Sequence, residues 1–276
     1  MVLNMEIQNI FYHDFHVHTA YSPCARDKSQ ATPLQMIREA ERLGIKTVGF
    51  CDHFAQFPPY PLPKWEKSGK EMIASLREDL KKIGTPIQIL IGVESDLIEP
   101  GKLTITKDYA ENLNYVIISA SHFHLPGIKK PPSTKIVSIA RHYVYMLKAA
   151  LEYDFISIIA HPFKTPKNAL GSPMEYMQHI PQSEYYEIAE KAIKQGIAME
   201  INGQLGLDHE YLQAIKPFVS VCKEVGVKFS YGSDAHHKMN LGPTNGIIQF
   251  IKSQILTYED FLSPGELIKI HQESCS

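Results

Sequence analysis

Two rhythms of apolar and polar positions take turns along this chain. Short runs rich in β-branched and apolar residues fall at 10–15, 47–51, 87–93, 115–119, 156–160, 198–201 and 227–231. Each has the length of a strand. The run at 87–93 is apolar almost throughout, the pattern of a strand covered on both faces. Between the runs the period lengthens to that of a helix. Over 33–43, Leu34, Ile37 and Leu43 supply an apolar stripe, Thr32 suits the cap, Pro33 the first turn and Gly44 the stop. Further helices are predicted over 66–83, 135–151, 183–195, 211–225, 244–251 and 263–271. Strands that alternate with helices imply parallel βα units. Seven units are too many for one small sheet and point to a barrel. The run FPPYPLP at 57–63 suits neither helix nor sheet. It reads as a loop over the barrel mouth or as a plain connection.

A length of 276 residues suits a single α/β barrel domain spanning 1–276. No interior linker, repeat or low-complexity tract divides it. A hydrophobic content of 44% is enough to build a core. The net charge of -2 gives no reason to expect a nucleic-acid partner. No run approaches the roughly 20 apolar residues of a membrane span, and the start has no signal-peptide pattern. The four cysteines form no CxxC pair, which fits a reducing, cytoplasmic setting. Oligomeric state leaves no mark in the sequence.

The 13 histidines matter for where they stand. The successive strands run into His16-Val-His18, Asp52-His53, Glu94, Ser121-His122, His161-Pro162, Glu200-Ile-Asn202 and Ser233-Asp234-Ala-His236. In a parallel barrel all strand C-termini point to one mouth, so these groups converge. Side-chain alternation puts His16 and His18 on the same side of their strand. One histidine at a strand end is usually a hydrogen-bonded structural residue. Seven strands that all end in histidine or carboxylate point to metal, because imidazole and carboxylate are good ligands for zinc, manganese and iron. A carboxylate can bridge two ions, and Glu94 is the candidate bridge. Asp52 reads as support for its neighbour. Glu200 and Asn202 are open between outer support, substrate contact and structure. His124 and His237 are offset from the pattern. His13, His142, His179, His209 and His271 lie outside it and read as surface or packing residues.

The order HVH, DH, GVE, SH, HP, EIN, GSDAH resembles the polymerase-and-histidinol-phosphatase (PHP) superfamily from Phe15 to His236. The resemblance implies a distorted seven-stranded (β/α)7 TIM-like barrel and two or three divalent metal ions. It implies one site from His16, His18, Glu94 and Asp234. A second would use Glu94, His122 and His161, and a third His53, His236 and a ligand from the loop after the first motif. Here the chain departs from the pattern. Family members often carry a histidine six positions after the second histidine of the first motif, or an aspartate five after it. This chain has Cys24 and Pro23 at those places. Cys24 is either a thiolate ligand or a small buried residue; in the second case Asp27 is the alternative.

The resemblance implies a metal-dependent phosphoesterase acting on a small-molecule phosphomonoester. The attacking group would be a hydroxide bridging two metals. SxSHFHLPG and the MEIN…GSDAH pairing look like histidinol phosphate phosphatases of histidine biosynthesis. Asp234 and His236 are the catalytic candidates. Phosphate favours cationic donors, and Arg26, Arg141 and Lys164 are those expected to bind it. Alternatives are a nucleotide phosphodiesterase or nuclease on the same metals, a non-catalytic metal-binding module, and C–N hydrolysis as in amidohydrolases. The nuclease would call for a basic, aromatic-studded track outside the mouth. The amidohydrolase would call for a lysine where Glu94 stands.

Overall fold

Seven parallel strands lie in the order β1 (His13–Val17), β2 (Thr47–Phe50), β3 (Gln88–Glu99), β5 (Tyr115–Ser119), β6 (Ile158–Ile159), β7 (Ala198–Asn202) and β8 (Phe229–Gly232). A short β4 (Lys102–Leu103) folds back antiparallel on β3. This computed structural model describes residues 5–56, 69–164 and 171–275. The 57–63 run and the start of the helix predicted over 66–83 lie outside those residues. The sheet curls until β8 meets β1: the Asp234 amide donates to His16 O (2.7 Å) and the His18 amide to Ala235 O (3.0 Å). The ring is an α/β barrel with every strand C-terminus at one mouth.

Helices α1 (Met5–Ile10), α2 (Pro33–Leu43), α3 (Lys70–Leu80), α4 (Lys107–Ala110), α5 (Ile136–Ala150), α6 (Pro173–Met177), α7 (Gln182–Gln195), α8 (His209–Val225), α9 (Asn245–Ser253) and α10 (Pro264–Cys275) accompany the strands. None of the described helices is long and apolar enough to cross a membrane. The caps follow the chemistry of the sequence. Thr32 accepts from the Gln35 amide, and Gly44 ends α2 at φ 76°.

Two expectations change. The apolar run at 10–15 is not one strand: α1 ends at Ile10 and β1 begins at His13. Ile10 and Phe11 are buried in the outer core, with the Phe11 ring edge-on to Tyr231 at 4.8 Å. A short apolar run does not by itself distinguish a strand from a packed turn. The strand expected at 87–93 continues to Glu99, because polar Glu94, Ser95 and Asp96 are buried at the mouth.

The barrel interior holds Phe15, Leu90, Tyr115, Ile117 and Ile158, with Leu262 and Leu267 packed in the same cluster. Tyr115 is its hub. Its ring occupies the space above Gly49 and Gly92, and its hydroxyl donates to Phe15 O at 2.7 Å. A Cβ on Gly92 would lie 2.5 Å from the Tyr115 ring. Because that ring is fully buried, Gly92→Ala is expected to destabilise the fold by about 1–3 kcal/mol, read as a lower midpoint in denaturant unfolding.

His271 is a packing histidine. Its ring lies between Ser157 Oγ (3.2 Å) and Ala110 O (3.0 Å), and burial lowers its pKa. Folding therefore favours the neutral ring, and protonation of the unfolded chain favours unfolding as pH falls through about 6.5. The unfolding midpoint should drop over that range. His271→Gln, which cannot charge, should make the drop shallower; an unchanged slope would show that this histidine does not contribute to it.

Candidate metal centre

The mouth of the barrel gathers the predicted ligands because the strands deliver them there. His16 lies within β1 and Glu94 within β3; His18, His53, His122, His161, Asp234 and His236 follow the ends of β1, β2, β5, β6 and β8. His16, His18, Glu94, His122, His161 and Asp234 are all buried. Glu94, His122, His161 and Asp234 line a cavity of about 300 Å³, with Cys24, His53, His124, Leu125, Lys164, Gln204 and His236, and His16 and His18 lie behind them against Glu94 and Asp234.

Glu94 sits between two sets of imidazoles. Its Oε2 lies 2.8 Å from His53 Nδ1 and 3.5 Å from both His16 Nε2 and His18 Nε2. Its Oε1 lies 3.0 Å from His161 Nε2 and 3.8 Å from His122 Nε2. Asp234 Oδ1 closes the first set, 3.3 Å from His18 Nε2 and 3.8 Å from His16 Nε2. Three groups bring potential ligand atoms within 4.8 Å of one another: His16, His18 and Glu94; Glu94, His122 and His161; and His18, Cys24, His53 and His236.

The donor chemistry fits divalent ions. Five of the imidazoles are held from outside through Nδ1, which turns Nε2 inward. His16 Nδ1 meets Glu200 Oε1 at 2.5 Å, His122 Nδ1 meets Asp96 Oδ1 at 2.7 Å, and His236 Nδ1 meets the Asp234 carbonyl at 2.8 Å. Ser22 Oγ and Ser121 Oγ stand 3.3 and 3.4 Å from Nδ1 of His18 and His161. Such outer partners set the tautomer and orientation that a metal-binding histidine needs. His16 Nε2 and His18 Nε2 are only 3.1 Å apart, two inward lone-pair positions beside two carboxylates.

The electrostatics point the same way. Burial raises the Glu94 carboxyl, but His53 and His16 outweigh it and hold it well below the usual range. Asp234 is likewise held down against burial, by Lys164 first and then His16. His53 is raised against burial by Glu94 and Cys24. Burial would raise the Cys24 thiol, yet His53 and His236 bring it to about 6. His16 and His236 are raised as His53 is, whereas His18 and His161 are lowered, by burial first, which favours the neutral form that ligates a metal.

Backbone strain accompanies these positions. His161, Phe163 and Asp234 hold φ of 27°, 61° and 56°, in the left-handed region that residues with a side chain seldom occupy. The His161 amide donates to Glu200 Oε2 at 2.7 Å, and the Asp234 amide to His16 O.

Other predicted residues divide. Asp52 is a support: it accepts from the Thr19 amide and hydroxyl, both at 2.5 Å. Glu200 ties His16, the His161 amide and Asn202 together. Gly232 makes room for it, since a Cβ there would lie 2.3 Å from Glu200 Oε1. Asp27 caps a 3-10 turn, accepting from the Ser29 amide, and does not line the cavity. Of the three cations expected to meet phosphate, Lys164 lines the cavity, with Nζ 3.4 Å from Asp234 Oδ2. Arg26 and Arg141 do not; both are exposed, and Arg141 lines a separate groove because α5 turns that side outward. Three residues were not singled out beforehand. Asp96 orients His122, Asp14 accepts from the Ser233 amide (2.9 Å), and Gln204 donates to the Asp234 carbonyl (3.2 Å). The Asp96 role had one available signal: it is two residues beyond Glu94, on the same strand face.

The family model described as PHP domain matches residues 14–204. A probable phosphatase of Clostridium acetobutylicum is 24% identical over 257 residues, covering 92% of this chain and 90% of that one. A probable phosphatase of Caldicellulosiruptor bescii is 23% identical over 228 residues, covering 82% and 80%. The crystal structure of a histidinol phosphate phosphatase from Lactococcus lactis, complexed with zinc, L-histidinol and phosphate, shares the fold. Its TM-score is 0.58 at 19% identity, covering 88% of this chain and 92% of that one.

Proposed function

The chain belongs to the PHP domain family, and from that premise we propose that it is a metal-dependent phosphatase acting on a small-molecule phosphomonoester. The observation that carries the reading is the position of Glu94, whose two oxygens address separate sets of imidazole nitrogens on the floor of one cavity. Relatives that cover most of the chain are named probable phosphatases, which supports the same reaction class. A cavity of about 300 Å³ suits a small ligand better than a polymer.

In this reading His16, His18, Glu94 and Asp234 hold one ion, and Glu94, His122 and His161 a second. His53, His236 and Cys24, with His18 alongside, hold a third. Bound divalent ions supply Lewis acidity toward phosphoryl oxygens and make water acidic enough to ionise near pH 7. The chain's own groups do the rest. Lys164, a quarter exposed at the cavity edge, draws the anionic substrate in and pairs with a phosphate oxygen. Glu200 and Asp96 keep the His16 and His122 rings in the tautomer that presents Nε2. Asp234 and His236 are the candidates to move a proton at the leaving oxygen in this reading, and the Asp234 carbonyl holds the His236 ring through Nδ1. Leu125 and Pro23 give the same cavity part of its apolar lining.

The test is metal analysis together with a substrate panel: histidinol phosphate first, then p-nitrophenyl phosphate, its bis-ester, nucleotides and phosphotyrosine. Zinc-, manganese- and iron-loaded protein should hydrolyse a monoester at least about tenfold faster than the diester. Faster diester cleavage would replace the monoester reading, and loaded protein inert on the whole panel would end the phosphatase reading. Cys24→Ala should retain one metal fewer per chain. Its cobalt-substituted form should also lack the thiolate-to-metal absorption of the parent; equal metal content and equal absorption would remove Cys24 from the ligand set.

A further inference from the structure

A second concave surface lies outside the metal cavity, where the loop before α5 meets the first turns of that helix. It is a groove of about 530 Å³ lined by Lys129, Lys130, Lys135 and Arg141, and no carboxylate lines it. The whole chain carries a net charge of -2, so four cations on one groove are a local concentration and not a share of general basicity. All four are exposed, and among the described residues none has an ion-pair partner. Like charges gathered without counter-charges repel one another unless an anion joins them.

The groove is ordered rather than a fringe of loose lysines. The Lys129 amide donates to Ile98 O at 2.8 Å, and its carbonyl is held by His142 Nε2 at 2.9 Å. Its ammonium stands 5.4 Å over the Tyr145 ring. The floor is apolar where the rim is charged: Tyr145 and Val137, 47% and 39% exposed, both line it. Lys135 caps α5 without a side-chain bond, so the positive end of the helix adds to the same field.

We propose that this groove binds a nucleoside polyphosphate, with the phosphates on Lys129, Lys130, Lys135 and Arg141 and the base against Tyr145. Four cations match the three to four negative charges of a triphosphate. A bare inorganic anion makes no use of the aromatic surface, whereas a base would take the place of the Lys129 ammonium over Tyr145 as that ammonium turns to the phosphates. A polymer would need the cationic surface to continue along a track, whereas here it is concentrated at one groove. The proposal is independent of the reaction assigned to the metal centre.

The experiment is calorimetric titration of the metal-loaded full chain with β,γ-methylene-ATP, a probe that resists hydrolysis, beside tripolyphosphate and a single-stranded oligonucleotide. Saturable binding of the ATP analogue is expected. The Lys130→Glu/Arg141→Glu double variant should weaken it by at least about tenfold, since charge-assisted contacts are lost. Tyr145→Ala should weaken the nucleotide analogue and leave tripolyphosphate unchanged. Lys164→Met, which alters only the metal cavity, should leave the affinity within about twofold. The proposal is overturned by absence of saturable binding, by loss of binding in Lys164→Met alone, by equal affinity for tripolyphosphate with no effect of Tyr145→Ala, or by tighter binding of the oligonucleotide.

Discussion

Glu94→Gln is expected to lower phosphatase turnover by at least about a thousandfold, a barrier increase of ~4 kcal/mol, and to strip the protein of two metal ions at once. The substitution keeps the volume and removes the charge. Two consequences follow from the geometry. Oε1 and Oε2 face different imidazole sets, so a single amide can present an oxygen to only one of them. Its NH2 would then point at ring nitrogens that must offer lone pairs. The positive potential of His53, His16 and any bound cations would also lose its principal counter-charge at the centre of a buried site. Metal content by plasma spectrometry and turnover on the best substrate of the panel are the two readouts. A variant that keeps its full metal complement and more than about a tenth of its turnover would remove Glu94 from the bridging role.

Glu200→Gln should act at one remove and be the second largest effect. Glu200 is buried and touches no cavity surface of its own, yet it holds His16 through Oε1 and the strained His161 backbone through Oε2. An amide satisfies one of these and not both. If its NH2 turns to His16 Nδ1, the ring must carry its proton on Nε2, the atom that faces Glu94 and His18. If it turns the other way, the His161 amide meets a donor. Either arrangement should weaken metal affinity by about ten- to a hundredfold, measured by competition with a chelator. Excess metal should restore much of the activity, which distinguishes positioning from direct participation. Unchanged affinity would mean that the 2.5 Å contact to His16 is incidental.

Glu94 was legible in the sequence as a candidate bridge, whereas the part Glu200 plays was left open there. The candidate ligands at strand ends were legible because parallel topology turns a sequence order into a place: His16, Glu94, His122 and His161 needed only the strands to be brought together. Cys24 stood out because it occupies a position where the resemblance implies another residue, and its grouping with His18, His53 and His236 is a matter of loop path that no periodicity encodes. Asp96 was hidden by the apparent end of β3 at Val93, where burial at the mouth lets polar residues continue a strand. Gln204 and Asp14 act through hydrogen bonds to backbone groups, which leave no spacing signal. Arg141 was misread for a different reason. Its helix was predicted correctly, but charge and proximity in sequence do not say which side of a helix faces the mouth.

Tyr115 gives the barrel an order of assembly. Its hydroxyl reaches Phe15 O on β1, a hundred residues earlier in the chain, and its ring fills the space that Gly49 and Gly92 leave open. Until residue 115 has been made, β1, β2 and β3 face an axis with two glycines and nothing to cover them. A nascent chain therefore carries three finished strands that cannot dehydrate their inner face. The contact that ends this state spans a hundred residues, and non-local contacts close slowly. The stretch of synthesis between β3 and β5 is then an interval in which that inner face stays uncovered, and the barrel itself stays open until β8 meets β1.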